Sequence, residues 1–260
     1  DLLNETSKSV VKDEDTWMSF LNTISWLYKY SLQDQLLIHA QKPEATACTS
    51  FENWNQKYHR WINKGAKGIA LIDDSAVRTK LRYVFDISDT HTNYSKPLKS
   101  WTISEDMHEQ MIDGLTAYYN LGKNVLDLGE VYKDIAKTMV EDNLEDYTQQ
   151  IIKYKSDSGL DFLSEYEVKN ELIKIVENSI LYTMLRRSHI NTDFYIDKDD
   201  FINVSLFNNT DVFILLGQSV HDINELCLDI ISKTARNIII DNNRTFVNEA
   251  KEVDNRIVKS

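Results

Sequence analysis

Proline, glycine and cysteine are all scarce: the 260 residues contain 2, 7 and 2 of them. So little proline and glycine argues against a disordered or collagen-like chain and against a turn-rich all-β fold. Cys48 and Cys227 are too few for a disulfide framework and, alone, for a zinc site. They fit a reducing, cytoplasmic setting. No apolar run approaches the roughly 18 residues of a transmembrane helix, and no basic-then-apolar leader opens the chain. The phosphate-binding G-x-x-x-x-G-K-[ST] and dinucleotide G-x-G-x-x-G patterns are missing, so no cofactor is expected. Basic charge is also in deficit, with 29 Lys and Arg against 41 Asp and Glu, a net charge of −12. That argues against binding duplex DNA through the global field of the molecule. What is present is a globular composition, 42% apolar and 10% aromatic. Its length suits one large domain or two modest ones. The chain opens on Asp1 rather than Met and reads as a piece of a longer polypeptide.

Periodicity places the helices. Trp17, Phe20, Leu21, Ile24, Leu27 and Tyr28 fall on one helical face, with Asp13 and Asp15 where negative charge suits a helix start. A second helix is expected over 31–41, ended by Pro43, and Ser50 caps a short third one holding Phe51, Trp54 and Tyr58. The pattern then changes. Residues 63–68, Asn-Lys-Gly-Ala-Lys-Gly, form a turn. Ile69 to Ile72 and Arg82 to Ile87 are short apolar runs that read as paired strands. Asp89 to Ser100 reads as polar loop. Beyond it the chain becomes helical and acidic. A helix starts at Ser104, another runs from about Val125 toward Lys155, and a long one follows the capping box Ser164-Glu165-Tyr166-Glu167. A last one is capped by Thr210. The expected fold is α+β and predominantly α-helical: a small antiparallel sheet packed on N-terminal helices, followed by a helical bundle. The expected domains are 1–100 and 101–260.

Charge divides unevenly over this plan, −2 over residues 1–110 and −10 over 111–260. Residues 55–82 reverse the balance, with 7 basic groups against 2 acidic. There aromatics and cations interleave: Trp54, Lys57, Tyr58, Arg60, Trp61, Lys64, Lys67, Lys80, Arg82, Tyr83. Cations that follow phosphates and rings that stack on unpaired bases are how single-stranded nucleic acid is held. The competing reading makes Trp54 and Trp61 core anchors and the lysines a solvated turn.

Other constellations fall short of their chemistry. His108-Glu109 begins like a zinc-protease helix, but Ile112 stands where the second histidine belongs. Asp86, Asp89 and His91 gather after the second strand, with Asp73 and Asp74 after the first; such carboxylates are candidates for a magnesium-dependent nuclease. Asp197-Lys198-Asp199-Asp200 resembles a calcium loop without its glycine and terminal glutamate, so helix capping is the reading. Gly217 to His221 lacks the second glycine of a nucleophile elbow and reads as helix.

The stretch from Tyr28 to Asp74, YKYSLQDQLLIHAQKPEATACTSFENWNQKYHRWINKGAKGIALIDD, resembles the N-terminal domain of ArdC-type antirestriction proteins, which is associated with single-stranded DNA binding. The shared features fall on Tyr30, Gln35, Trp54, the Lys64-Gly65-Ala66-Lys67-Gly68 turn and the strand Ile69 to Ile72. The chain is also similar to the N-terminal region of very large proteins of Firmicute conjugative elements, which carry helicase and adenine-specific methylase modules downstream. In those, the turn and strand lead into a second strand that stands here as Tyr83 to Thr90. The ArdC pattern has glycine and asparagine where this chain has Leu32 and Asp34, and its His-Glu-x-x-His metalloprotease motif is absent.

The resemblance implies a non-enzymatic, single-stranded-DNA-binding accessory domain of a mobile-element protein. Its candidate contacts are Tyr30, Gln35, Trp54, Lys57, Arg60, Trp61, Lys64, Lys67, Lys80 and Arg82, and its partners are DNA and the downstream modules. The alternative is a protein-interaction or DNA-mimic module acting through the acidic helices.

Overall fold

The computed structural model describes residues 2–73, 80–93, 101–122, 125 and 127–257. The expected link between the two strands, with Asp74 and Arg78, and most of the expected loop from Asp89 to Ser100 lie outside the described residues. The architecture is α+β and mostly helical, as the patterning predicts.

Three helices open it: α1 (Leu2–Val10), α2 (Glu14–Trp26) and α3 (Leu32–Gln41). α2 starts where Asp13 accepts the Thr16 N–H at 2.9 Å, a cap that also places charge at the positive end of the helix dipole. Strand β1 (Cys48–Thr49), helix α4 (Phe51–Gln56), and strands β2 (Trp61–Ile62), β3 (Ile69–Asp73), β4 (Lys80–Asp86) and β5 (Thr90–His91) follow. The strands form an antiparallel three-stranded sheet, ordered β1-β4-β3, and a separate β2-β5 ribbon. Ile69 faces Val84 and Leu71 faces Arg82 across β3 and β4.

The helical part comprises α5 (His108–Tyr119), α6 (Leu128–Asn143), α7 (Glu145–Tyr154), α8 (Glu165–Arg187) and α9 (Thr210–Ile257). α8 opens with the expected capping box: the Ser164 N–H donates to Glu167 Oε2 at 2.8 Å, and the Glu167 N–H to Ser164 Oγ at 3.3 Å. Asp200 Oδ2 likewise accepts the Asp197 N–H at 2.9 Å and starts a 3₁₀ segment over Lys198–Leu206.

Two local expectations need correction. The helix read from 125 to 155 is two, broken at Leu144, because apolar periodicity runs on through the bend. Asn209 rather than Thr210 caps α9, its Oδ1 accepting the Val212 N–H at 2.7 Å.

The expected boundary near residue 100 does not divide the apolar core. Trp17, Phe20, Leu21 and Ile24 of α2 share one cluster with Ile175, Val176 and Ile180 of α8 and with Val220 and Ile223 of α9. The Trp17 indole N–H, buried among them, donates to Ser179 Oγ at 3.0 Å. The Arg187 guanidinium ties the same regions, lying 4.9 Å from the Trp26 ring centre and 3.6 Å from that of Trp101. Burial pulls its pKa down to about 10, so it stays a cation at neutral pH and holds both indole faces.

α3 turns two apolar faces outward. Leu32 and Leu36 join the main core, whereas Leu37 and Ile38 join a smaller cluster with Leu27, Ala45, Ile69, Leu71 and Val84. The sheet is thereby held on the helical body.

Candidate nucleic-acid interface

The turn between β2 and β3 is built by its sequence. The Ala66 N–H donates to the Asn63 carbonyl at 3.0 Å, and Gly65 adopts φ +87°, where a side chain would be strained. This is the turn geometry that asks for glycine in its third position, and it leaves Lys64 at the tip. Asn63 is anchored in turn: its N–H donates to the Asp89 carbonyl at 2.8 Å, and its side chain bonds His91 Nδ1 at 2.8 Å. Lys64 and Lys67 project into solvent.

β3 and β4 present one face to the α3 cluster and the other outward. Tyr83, opposite Ala70, is 53% exposed, and Leu81, opposite Ile72, is 58% exposed. Gly68 lets this outer face stay flat: a Cβ there would meet the Tyr83 and Phe85 side chains at 3.2 Å. Across the β2-β5 ribbon, Trp61 is 37% exposed and its ring centre lies 6.3 Å from that of His91. Lys57 Nζ sits 5.4 Å from the ring centre of the exposed Tyr58. Lys80 is exposed at the start of β4.

The structure separates the ten sequence candidates into two groups. Lys57, Trp61, Lys64, Lys67 and Lys80 reach the surface, and none of these lysines forms an ion pair among the described residues. The others serve the fold as it stands. Trp54 is 2% exposed, its indole N–H donating to the Phe85 carbonyl at 2.8 Å, so its faces are covered by the domain itself. Gln35 is fully buried and donates to the Leu27 carbonyl at 3.1 Å. The Tyr30 hydroxyl donates to the Cys48 carbonyl at 2.8 Å, and burial raises its pKa. Arg60 fastens β5, donating to Thr90 Oγ1 at 2.6 Å and to the Thr90 carbonyl at 3.2 Å. Arg82 pairs with Asp34, one of the two positions that depart from the ArdC pattern.

Tyr58 and His91 join the exposed set. Tyr58 was legible from the interleaving of rings and cations; His91 was read instead with the carboxylates after the second strand, and it reaches Trp61 through the β2-β5 pairing. The carboxylates offered for metal chemistry have other occupations. Asp86 accepts N–H groups from Thr46, Ala47 and Ser88, and Asp89 pairs with Lys42 at 2.8 Å. Burial of Lys42 works against its charge, but the Asp89 carboxylate outweighs this and raises its pKa. Among the described residues, no three His, Cys, Asp or Glu side chains gather as a metal site.

Comparison with family models, curated proteins and solved structures finds no match to this chain.

Proposed function

We propose that this chain is a non-enzymatic binding domain for single-stranded DNA, working through the β2-β3 turn and the outer face of the β3-β4 pair. The observation that carries the reading is the gathering of cations without carboxylate partners around exposed rings. Lys29, Lys42, Lys169 and Lys198 are each matched by carboxylates. Among the described residues, Lys57, Lys64, Lys67 and Lys80 are exposed without such a partner, in the segment that also exposes Tyr58, Trp61 and Tyr83. Free ammonium groups contact phosphates, and exposed rings stack on unpaired bases at about 1–3 kcal/mol each. The ArdC resemblance of this segment supports the same reading. A duplex hides its base faces and offers the rings nothing to stack on.

The test is fluorescence anisotropy of a labelled oligonucleotide, single-stranded and duplex, at two salt concentrations. Single-strand binding that weakens with salt is expected. Lys64→Ala with Lys67→Ala should reduce that affinity about tenfold and flatten the salt slope by about 0.7 per lost phosphate contact, without lowering Tm. Unchanged affinity in the double variant would remove the turn from the site.

A further inference from the structure

At the opposite end of the sequence's charge balance, the acidic bundle exposes several apolar side chains on segments hydrogen-bonded to one another at one end. α7 ends at Tyr154, and the loop of residues 155–163 folds back beside it before α8 begins. Phe162 in that loop is 95% exposed, Tyr166 in the first turn of α8 is 74% exposed, and Tyr154 and Ile214 are 43% and 46% exposed. Tyr154, Ile214 and Leu215 line one shallow cleft with Asp211. Single exposed apolar side chains are ordinary on protein surfaces, but several at one end of a bundle mark an interaction site.

The loop that presents Phe162 is fastened on every side. Lys155 Nζ donates to the carbonyls of Asp161, at 3.1 Å, and of Leu163. Ser158 Oγ donates to the Lys155 carbonyl at 2.6 Å and accepts the Leu160 N–H at 3.1 Å. The Gly159 N–H donates to Asn208 Oδ1 at 3.0 Å, and a Cβ on Gly159 would meet the Leu206 backbone at 2.7 Å. Asn209 Nδ2 joins the start of α9 to this end, donating to the carbonyls of Tyr154 and Ser156 at 3.1 and 2.9 Å. Leu160 is fully buried two residues before Phe162. An aromatic side chain is thus held in water by backbone that is already ordered. Covering it recovers apolar burial without the entropy of ordering a loop.

The rim selects the partner. Asp157, Asp161, Glu165 and Asp211 are all exposed around these residues, and no basic residue occurs from 156 to 168. Lys155 is spent on the loop carbonyls, and Lys153, whose Nζ lies 5.1 Å from the Tyr154 ring centre, offsets one of the four carboxylates. Such a rim repels phosphate, an anionic bilayer and a second copy of itself, and it attracts cations. We propose that this end of the bundle docks a lysine- or arginine-rich polypeptide segment whose apolar side chains cover Phe162, Tyr166 and Ile214.

The probe is a fluorescein-labelled 14-residue amphipathic leucine/lysine helix, compared with a peptide of the same composition scrambled to destroy its apolar face. Anisotropy is measured at 150 mM salt, where pure charge attraction is weak. The ordered peptide should bind at least tenfold tighter than the scrambled one. Phe162→Ser with Ile214→Ser should remove that difference, while Phe194→Ser, an 80% exposed phenylalanine outside the loop and the cleft, should leave it intact. Unchanged Tm in the double variant confirms that the fold is retained. Equal binding of the two peptides, or a difference that survives the double substitution, overturns the proposal. So does sedimentation showing a dimer that Phe162→Ser dissolves, which would assign the surface to a second copy.

Discussion

The Asp86 carboxylate gathers three backbone N–H groups. Oδ1 accepts from Thr46 and Ala47 at 2.8 and 2.9 Å, and Oδ2 from Ser88 at 2.9 Å. It thereby ties the segment before β1 to the end of β4. Burial of the side chain (1% exposed) opposes its charge, yet the N–H groups outweigh burial and hold its pKa below the ordinary 3.8. A carboxyl with a lowered folded pKa stabilises above its unfolded value, and that stability is lost as pH falls below 3.8 through the folded value. Asp86→Asn removes this contribution and turns a donor toward the Ser88 N–H. A loss of about 1–3 kcal/mol at pH 7 is expected, with a smaller further loss between pH 5 and 2 than in the parent. Thermal melts by circular dichroism across that range measure both. A variant as stable as the parent at pH 7 would show that the three N–H groups find other acceptors. Asp86 also shows why a residue type is a weak guide to chemistry. In sequence it belongs to a group of carboxylates suited to magnesium, and only the backbone positions of residues 46, 47 and 88 reveal its structural role.

β3 is an edge strand, and such edges expose backbone groups that template further pairing. At Ala70 the exposed pair is met by a side chain: Gln41 Nε2 donates to the Ala70 carbonyl at 2.9 Å, and Gln41 Oε1 accepts the Ala70 N–H at 3.0 Å. The last residue of α3 stands in for one residue of a neighbouring strand. Gln41→Ala should speed hydrogen exchange of the Ala70 amide by about tenfold and cost about 1 kcal/mol, with the β4 amides little changed. Equal exchange at Ala70 in both proteins would mean that the bidentate contact does not persist in solution. Elements differed in how far the sequence disclosed them. α2, α3 and α8 were legible because each joins a cap to a repeating apolar face. α1 was not, since among its described side chains Val10 is the apolar residue that joins the core, with Val11 just beyond the helix. Trp54 lies on a helix of six residues, too short for periodicity to tell a buried ring from a stacking platform. The β3-β4 pair was legible as two apolar runs, but which face stays exposed depends on register, and a shift by one residue would bury Tyr83.

Over the whole molecule, a small basic surface sits on a strongly acidic body. On the proposed reading, the body's charge of −10 over residues 111–260 repels DNA at any distance that ions leave unscreened, while the lysines act at contact. The two interactions respond differently to salt. At about 10 mM salt the Debye length is about 30 Å and acidic helices within that range are felt at the β2-β3 turn; at 150 mM it is about 8 Å and their field is screened. Contact with phosphates weakens steadily over the same range through counterion release, with a slope of about −0.7 per contact for a single strand. Raising salt from low values therefore removes repulsion while it weakens attraction. A plot of log affinity against log salt should be nearly flat below about 50 mM and steepen toward the contact-limited slope above it. Anisotropy titrations from 10 to 300 mM measure this curve. A straight line throughout would mean that the acidic helices lie too far from the bound strand, or face away from it, to affect its affinity. The composition alone gives the sign of this competition, since the surplus of acid and the basic interval at 55–82 are both legible in the sequence. Its strength was not legible, because it depends on α3 fastening the sheet and its basic turn to the acidic helices through two adjoining apolar clusters.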